Sequence, residues 1–236
     1  MTAKFTPKTF KYLDEAYKNK KKLPWFEKNE ENYLENVKEP FGILLRRLDL
    51  EIGDKFPKFS FDPKKLSKPT YRKNNIPQDG TVVKPNAWAF VAETATSMYE
   101  WNPGVYLSLA KDENVMGVGL YMMSSRQLKL LRRAIINHPE KARAIIEDKK
   151  FKKVWGPLQG DKYVRFPKEY DPEVPGAEYL WFKQFYVSQT LTRKEITSPK
   201  FADKVVNDLK VAAPFLNWIR EVVGKYQASP RILLDD

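Results

Sequence analysis

The chain has no cysteine and only one histidine in 236 residues. Disulfides, thiolate metal sites and a Cys nucleophile are therefore excluded. The single His138, set in Asn-His-Pro, rules out a multi-histidine metal site, and any His-based triad would depend on it alone. No G-x-S-x-G elbow, P-loop or H-E-x-x-H helix is present, and no Asp-x-Asp cluster supports a metal. A site for Mg²⁺ or Ca²⁺ built from distant carboxylates stays open, but no motif calls for a metal or any other cofactor. No run approaches the roughly 18 apolar residues of a membrane span. The first residues lack the apolar core of a secretory signal. A soluble cytoplasmic protein without a membrane partner is the expectation.

What is present is a globular composition, 42% hydrophobic and 14% aromatic, with a net charge of +12. The charge is uneven. Residues 55–85 carry eight basic and two acidic side chains, residues 126–168 thirteen and four, while residues 26–54 carry eight acidic and four basic. Such asymmetry can draw a protein to polyanions, although a solvated lysine-rich surface is the simpler explanation.

The periodicities point to a single α+β domain over 1–226, with a central antiparallel sheet between N- and C-terminal helices and a flexible tail at 227–236. Thr6-Pro7 starts a helix through Phe10, Leu13 and Tyr17, and Lys20-Lys21-Lys22 ends it. Pro24 opens a longer helical stretch to Ile52, with a kink expected near Pro40 and Gly42. Its outer face holds Glu27, Glu30, Glu31, Glu35 and Glu39, which reads as a solvated helical face. Phe56–Phe61 alternates, but Pro57 confines it to an edge, and residues 64–80 read as a long loop. Strands are predicted at Ala87–Thr94, Val105–Ala110 and Val115–Met122, the last two forming a hairpin. On the third strand Gly117 and Gly119 share a face with Val115 and Tyr121, so a helix backbone, a bulge or a ligand must come close there. Ser124 or Ser125 caps a helix to Asn137, with Leu128, Leu131 and Ile135 inward and Lys129, Arg132 and Arg133 outward or at the rim. Helices from Pro139 and around Ala177–Phe182, short strands at Tyr163–Phe166 and Phe185–Thr190, a capping box at Thr192 and Glu195, and a last helix from Ser198-Pro199 to about Tyr226, bent at Pro214, complete the prediction.

Several aromatics and cations fall near the strands: Tyr71, Arg72, Lys84, Trp88, Tyr106, Tyr121, Arg165 and Lys183. A ring beside a cation suits an anionic or planar ligand, but ordinary packing at a core rim is the simpler explanation of it.

These motifs resemble the domain of unknown function 2461 family over nearly the whole chain. Trp25-Phe26-x-x-Asn29-x-x-x-Tyr33 is similar to its W-F-x-x-N/H-x-x-x-Y helix, and Gly117–Tyr121 to its G-x-G-x-Y-x-P strand. Residues 151–170 resemble its F-K-K-x-x-G…L-x-R-x-P-K-G-Y stretch, and Leu180–Leu191 its L-x-Y-K-x-F-V-V-S-H-P-L, with Lys183 on the lysine. The family's most polar signature, R-D-x-R-F-S-K-D-K-T-P-Y-K, falls on Arg72–Lys84. There Arg72, Asp79, Thr81 and Lys84 match, while Lys73, Asn75, Gln78, Gly80 and Val83 depart; Val174 and Gln189 stand where the family tends to have His. The resemblance implies a fold and a place for a site, and supplies no reaction.

Three readings follow. The sequence favours a non-catalytic binding or structural protein with a basic, aromatic-lined cleft for an anionic ligand or partner, using Arg72, Asp79, Lys84, Tyr106, Tyr121 and Lys183. The second is an enzyme whose Asp79, Tyr121 and Lys183 converge for acid–base work. The third is a non-specific nucleic-acid binder. Oligomeric state is not legible.

Overall fold

The computed structural model describes residues 4–93 and 102–224. Helices on either side of a four-stranded antiparallel sheet make this an α+β fold, as the periodicities predict. The helix α1 (Pro7–Lys18) starts where Thr6 accepts from the Lys8 N–H, while Thr9 accepts in return from the Thr6 N–H. The short α2 (Leu23–Lys28) and α3 (Glu30–Tyr33) lead to α4 (Glu39–Ile52). Between α3 and α4 the chain takes a π-helical turn, Leu34–Lys38, in which the Glu39 N–H donates five residues back to Leu34. Pro40 has no N–H to give to the carbonyl four residues earlier, so the helix changes register just upstream of it. The expected kink is realised as this π turn. The five glutamates of this region are all exposed.

The strands are β1 (Asn86–Ala92), β2 (Gly104–Ala110), β3 (Val115–Leu120) and β4 (Phe185–Thr190), in the order β1-β2-β3-β4. Thr94 of the predicted first strand lies outside the described residues, as does the tail 227–236. The β2–β3 hairpin is closed by buried Asn114, whose Oδ1 accepts from the Ala110 N–H and whose Nδ2 donates to the Leu191 carbonyl. Period-2 alternation gives the sheet two unlike faces. Ala87, Ala89, Val91, Val105, Leu107, Leu109, Met116, Val118, Leu120, Phe185 and Val187 are buried on one side. The long helix α10 (Phe201–Val223) packs there against β3 and also touches α4, α5 (Ser125–Asn137), α6 (Pro139–Ile146) and α7 (Lys149–Trp155). It runs through Pro214 as one helix, with Val205, Leu209, Leu216 and Ile219 almost wholly buried.

Both edges of the sheet are covered. Along β1, the Ser67 N–H donates to the Trp88 carbonyl and the Ser67 hydroxyl accepts from the Trp88 N–H. Phe59 and Leu66 bridge to Glu93 and Ala89. Along β4, the Gln159 N–H donates to the Tyr186 carbonyl, and the Gln159 amide exchanges bonds with Ser188. Loops thus take up backbone groups that would otherwise template another strand.

Two expectations are corrected. Tyr163–Phe166 is not a strand. Only the Tyr163 N–H pairs, with the Trp181 carbonyl, beside the Lys162–Phe182 bridge; Val164 is 95% exposed, and Pro167 has no N–H to continue a ladder. Arg132 is not outward. It is 3% exposed, its Nη2 donates to the Leu180 carbonyl at 2.8 Å, and its Nη1 lies 3.7 Å from Glu169. The rings of Tyr163 and Tyr170 lie 5.0 and 5.6 Å from the guanidinium. It ties α5 to α8 (Ala177–Leu180) and to the loop before it.

Removing a buried, hydrogen-bonded cation leaves its partners unsatisfied. Arg132→Ala is therefore expected to cost about 2–4 kcal/mol in urea unfolding. Arg133→Ala, one residue on but exposed, should change stability by less than about 0.5 kcal/mol. Equal losses at the two positions would mean that the Arg132 bonds do not support the fold.

Candidate functional site

Among the described residues, the face of the sheet turned away from α10 is open and aromatic. Strand register places its residues in rows. Phe90, Tyr106, Gly117 and Ser188 lie side by side across the four strands, and Ala92, Gly104, Gly119 and Tyr186 form the next row. Trp88, Ser108, Val115 and Thr190 make the third. A cleft of about 630 Å³ lies over these rows. Trp88 and Tyr106 wall one side, with ring centroids 6.2 Å apart, and Tyr121 and Tyr186 the other, edge to face at 5.3 Å. Burial, with the nearby Tyr121 phenol, raises the pKa of Tyr186 above that of an ordinary tyrosine, so it stays a neutral donor.

The glycines of the floor differ in what they permit. At Gly119, with φ +129°, a Cβ would stand 2.3 Å from the Phe185 carbonyl, so close approach of β4 requires glycine. At Gly104 a Cβ would strike the Phe90 ring at 2.4 Å. At Gly117 the nearest atoms are 3.4 Å away and φ is not positive. Packing does not forbid a side chain there; its absence leaves bare backbone as the floor between Tyr106 and Ser188.

A second hollow of about 610 Å³ adjoins the first and shares Tyr106, Glu113 and Val115 with it. Tyr17, Lys20, Tyr71, Asp79 and Lys111 also line it. Its cations are already matched: Lys20 pairs with Asp79 at 3.2 Å and Lys111 with Asp112 at 3.6 Å. Lys84 stands between the two hollows, its Nζ 5.0 Å from the Tyr71 ring and 5.9 Å from the Trp88 ring. It is half-buried, it makes no ion pair among the described residues, and burial lowers its pKa. Its backbone is pinned: the Lys84 N–H donates to Pro69, and the Val82 and Val83 N–H groups donate to the Lys20 carbonyl. A further hollow between α1 and α9 (Arg193–Ile196) is spanned by the two-bond Arg193–Asp14 ion pair, so its one arginine is matched within the protein.

The predicted site residues are distributed as follows. Tyr106 and Tyr121 line the aromatic cleft and Tyr106 and Asp79 the adjoining hollow; Lys84 lines neither, but its Nζ lies by the Tyr71 ring of one and the Trp88 ring of the other. Arg72 is exposed beside a 3-10 turn, and Lys183 is exposed with its Nζ over Tyr163; neither lines the two hollows. Asp79, Tyr121 and Lys183 thus share no cavity. Phe90, Tyr186, Ser188 and Glu113 belong to the cleft but were not singled out from the sequence. The signal for the β4 pair was its alternation, which sets Tyr186, Ser188 and Thr190 on one face. Among the described residues no group of three or more His, Asp or Glu side chains could hold a metal ion, and His138 is an exposed joint between α5 and α6.

Asp79 is held by its own turn. Its carboxylate accepts from the Thr81 hydroxyl at 2.8 Å and the Thr81 N–H at 3.0 Å. Those bonds, with Lys20, lower its pKa to about 2. Because the folded value lies below the unfolded one, stabilisation by this group is present above the ordinary 3.8 and is lost as pH falls through about 2. The Thr81 amide resonance should accordingly titrate with a midpoint near 2. A midpoint at the ordinary carboxylate value of about 4 would show that Asp79 does not hold the turn.

The family model described as a conserved hypothetical protein (DUF2461) matches residues 8–218, which take in all four strands and the Arg72–Lys84 signature. No curated protein and no solved structure matches the chain. Of the four signature residues present here, Asp79 and Thr81 are bonded to each other, and Lys84 alone stands against the cleft wall. With 211 of its 236 residues spanned by that match, the chain belongs to the DUF2461 family of conserved hypothetical proteins.

Proposed function

We propose that the protein is a binding protein whose open sheet face takes a small planar ligand bearing one anionic group. The observation that carries this reading is the aromatic cleft, uncovered among the described residues, with Lys84, a half-buried cation that makes no ion pair among them, against its Trp88 wall. Clefts of 300–1,000 Å³ with aromatic walls and few polar groups are typical of small-molecule sites. The backbone floor at Gly117 admits a flat ring, and Trp88, Tyr106, Tyr121 and Tyr186 offer faces and edges for stacking. Lys84 supplies the charge-assisted bond, and its present partners, two rings, hold a cation more weakly than an anion would.

Glu113 sets the limit on the ligand. It lines both hollows, is exposed and makes no ion pair among the described residues. A polyanion laid along both hollows would meet this carboxylate. A ligand with its one anionic group at the Lys84 end would not.

The probe is 1-naphthyl phosphate, titrated by calorimetry. Lys84→Ala should weaken binding about tenfold or more, the worth of a bond to a charged group. Gly117→Leu should weaken it by filling the floor, with the fold kept, and Glu113→Gln should strengthen it severalfold. Affinity should fall as pH rises through the Lys84 pKa, which lies below the ordinary 10.5. Affinity left unchanged by both Lys84→Ala and Gly117→Leu would end the reading.

A further inference from the structure

The outward face of α5 carries Arg126, Lys129 and Arg133 at three- and four-residue spacing, all exposed. With Ser125 and Leu130 they line a shallow hollow of about 340 Å³. No carboxylate lines it, whereas the hollows over the sheet, between α1 and α9, and beside α4 each include one. None of the three cations makes an ion pair among the described residues, while Arg47, Arg143 and Arg193 are each paired to Asp or Glu.

The surrounding sequence does not supply the missing anions. Residues 126–168 hold thirteen basic and four acidic side chains. Of those four, Glu147 is engaged by Lys152 and the Tyr179 hydroxyl, and Asp148 accepts from the Phe151 N–H at the start of α7. The helix is also held rigidly. Leu131 and Ile135 are fully buried, Ser124 and Gln127 form a capping box, and Arg132 anchors the inner side to the Leu180 carbonyl. The three charges are therefore presented on a fixed ridge, where their potentials add.

We propose that this α5 ridge binds the phosphate backbone of nucleic acid without reading its sequence. From Arg126 to Arg133 the ridge spans ~10 Å of helix axis, which covers about three phosphates of one strand. Two of the three cations are arginines, whose planar forks match phosphate oxygens. A membrane surface is the poorer fit, because a helix that lies on lipid needs an apolar side facing the same way as its cations. Here the apolar side of α5 is turned into the core, and the ridge offers only half-buried Leu130. The ridge is separate from the sheet cleft and stands or falls independently of it.

The test is fluorescence anisotropy of the full chain with a mixed-sequence duplex and a mixed-sequence single strand across a salt series. Three phosphate contacts give a slope of log K against log salt of about −2.7 on the duplex. Arg126→Gln, Lys129→Gln and Arg133→Gln should each make the slope shallower by about 1. The triple variant should lose binding while keeping the wild-type urea unfolding midpoint, which reports an intact fold. If the triple variant misfolds, the three single variants decide. Binding with unchanged affinity and slope in the variants overturns the proposal. So does salt-independent binding by the wild type, or retention on phosphatidylserine vesicles at a salt concentration where neither oligonucleotide binds.

Discussion

Met116, Val118 and Leu120 of β3, pressed against α10, fix the rest of the molecule. Burying each such side chain stabilises the fold by about 1.5–3 kcal/mol, and Leu107 and Leu109 add to the same layer. A strand alternates strictly, so a slip of one residue would turn this set to solvent and drive Tyr106 and the glycine positions into the helices. The helix side therefore determines the register, and the register determines the open face. Tyr106 lies opposite Gly117, and Gly119 opposite Tyr186, because Val118 faces α10 and Val187 lies on the same buried side.

That face departs from the usual pattern of a half-exposed antiparallel sheet, which is polar on its solvent side. Here Trp88, Phe90, Tyr106 and Tyr186 are only partly buried, and Tyr121 is 56% exposed. Solvation favours charged or hydroxylated residues at such positions, and the neighbouring Ser108, Ser188 and Thr190 show that the strands accommodate them. Lys84 departs in the same direction. Burial disfavours its charge, and among the described residues no carboxylate pairs with it to offset the cost. Local stability alone gives no reason for either feature, and both are features that the proposed ligand would use.

The fold was legible where it rested on local physics. The caps at Thr6, Ser124 and Thr192, the β2–β3 hairpin and the two faces of β1 and β3 all follow from residues within a few positions of one another. What escaped depended on distant partners. The burial of Arg132 is decided by a carbonyl 48 residues away and by two tyrosines of a loop, whereas its own helix pattern places it at the rim. The cleft divided in the same way. Tyr106 and Tyr121 sit on the hairpin and could be chosen from it, but Tyr186 and Ser188 arrive on a strand far along the chain. Arg72 and Lys183 carry the same chemistry but lie outside the two hollows, since residue type says nothing of which way a loop turns.

The two electropositive features differ in kind, and the difference is physical. Lys84 is half-buried, so salt screens its interaction with an anion weakly, and its main opposing force is desolvation. Arg126, Lys129 and Arg133 are exposed, pay little desolvation, and gain chiefly through counter-ions released from a partner. A compact ligand with one charge suits the first, because stacking on Trp88 and Tyr106 can offset what Lys84 loses on leaving water. A linear polyanion suits the second, because three solvated charges on a rigid helix act only in sum. A net charge of +12 is therefore not one property spread over the molecule: it contains a solvated ridge open to screening by salt and a half-buried amine that salt screens weakly.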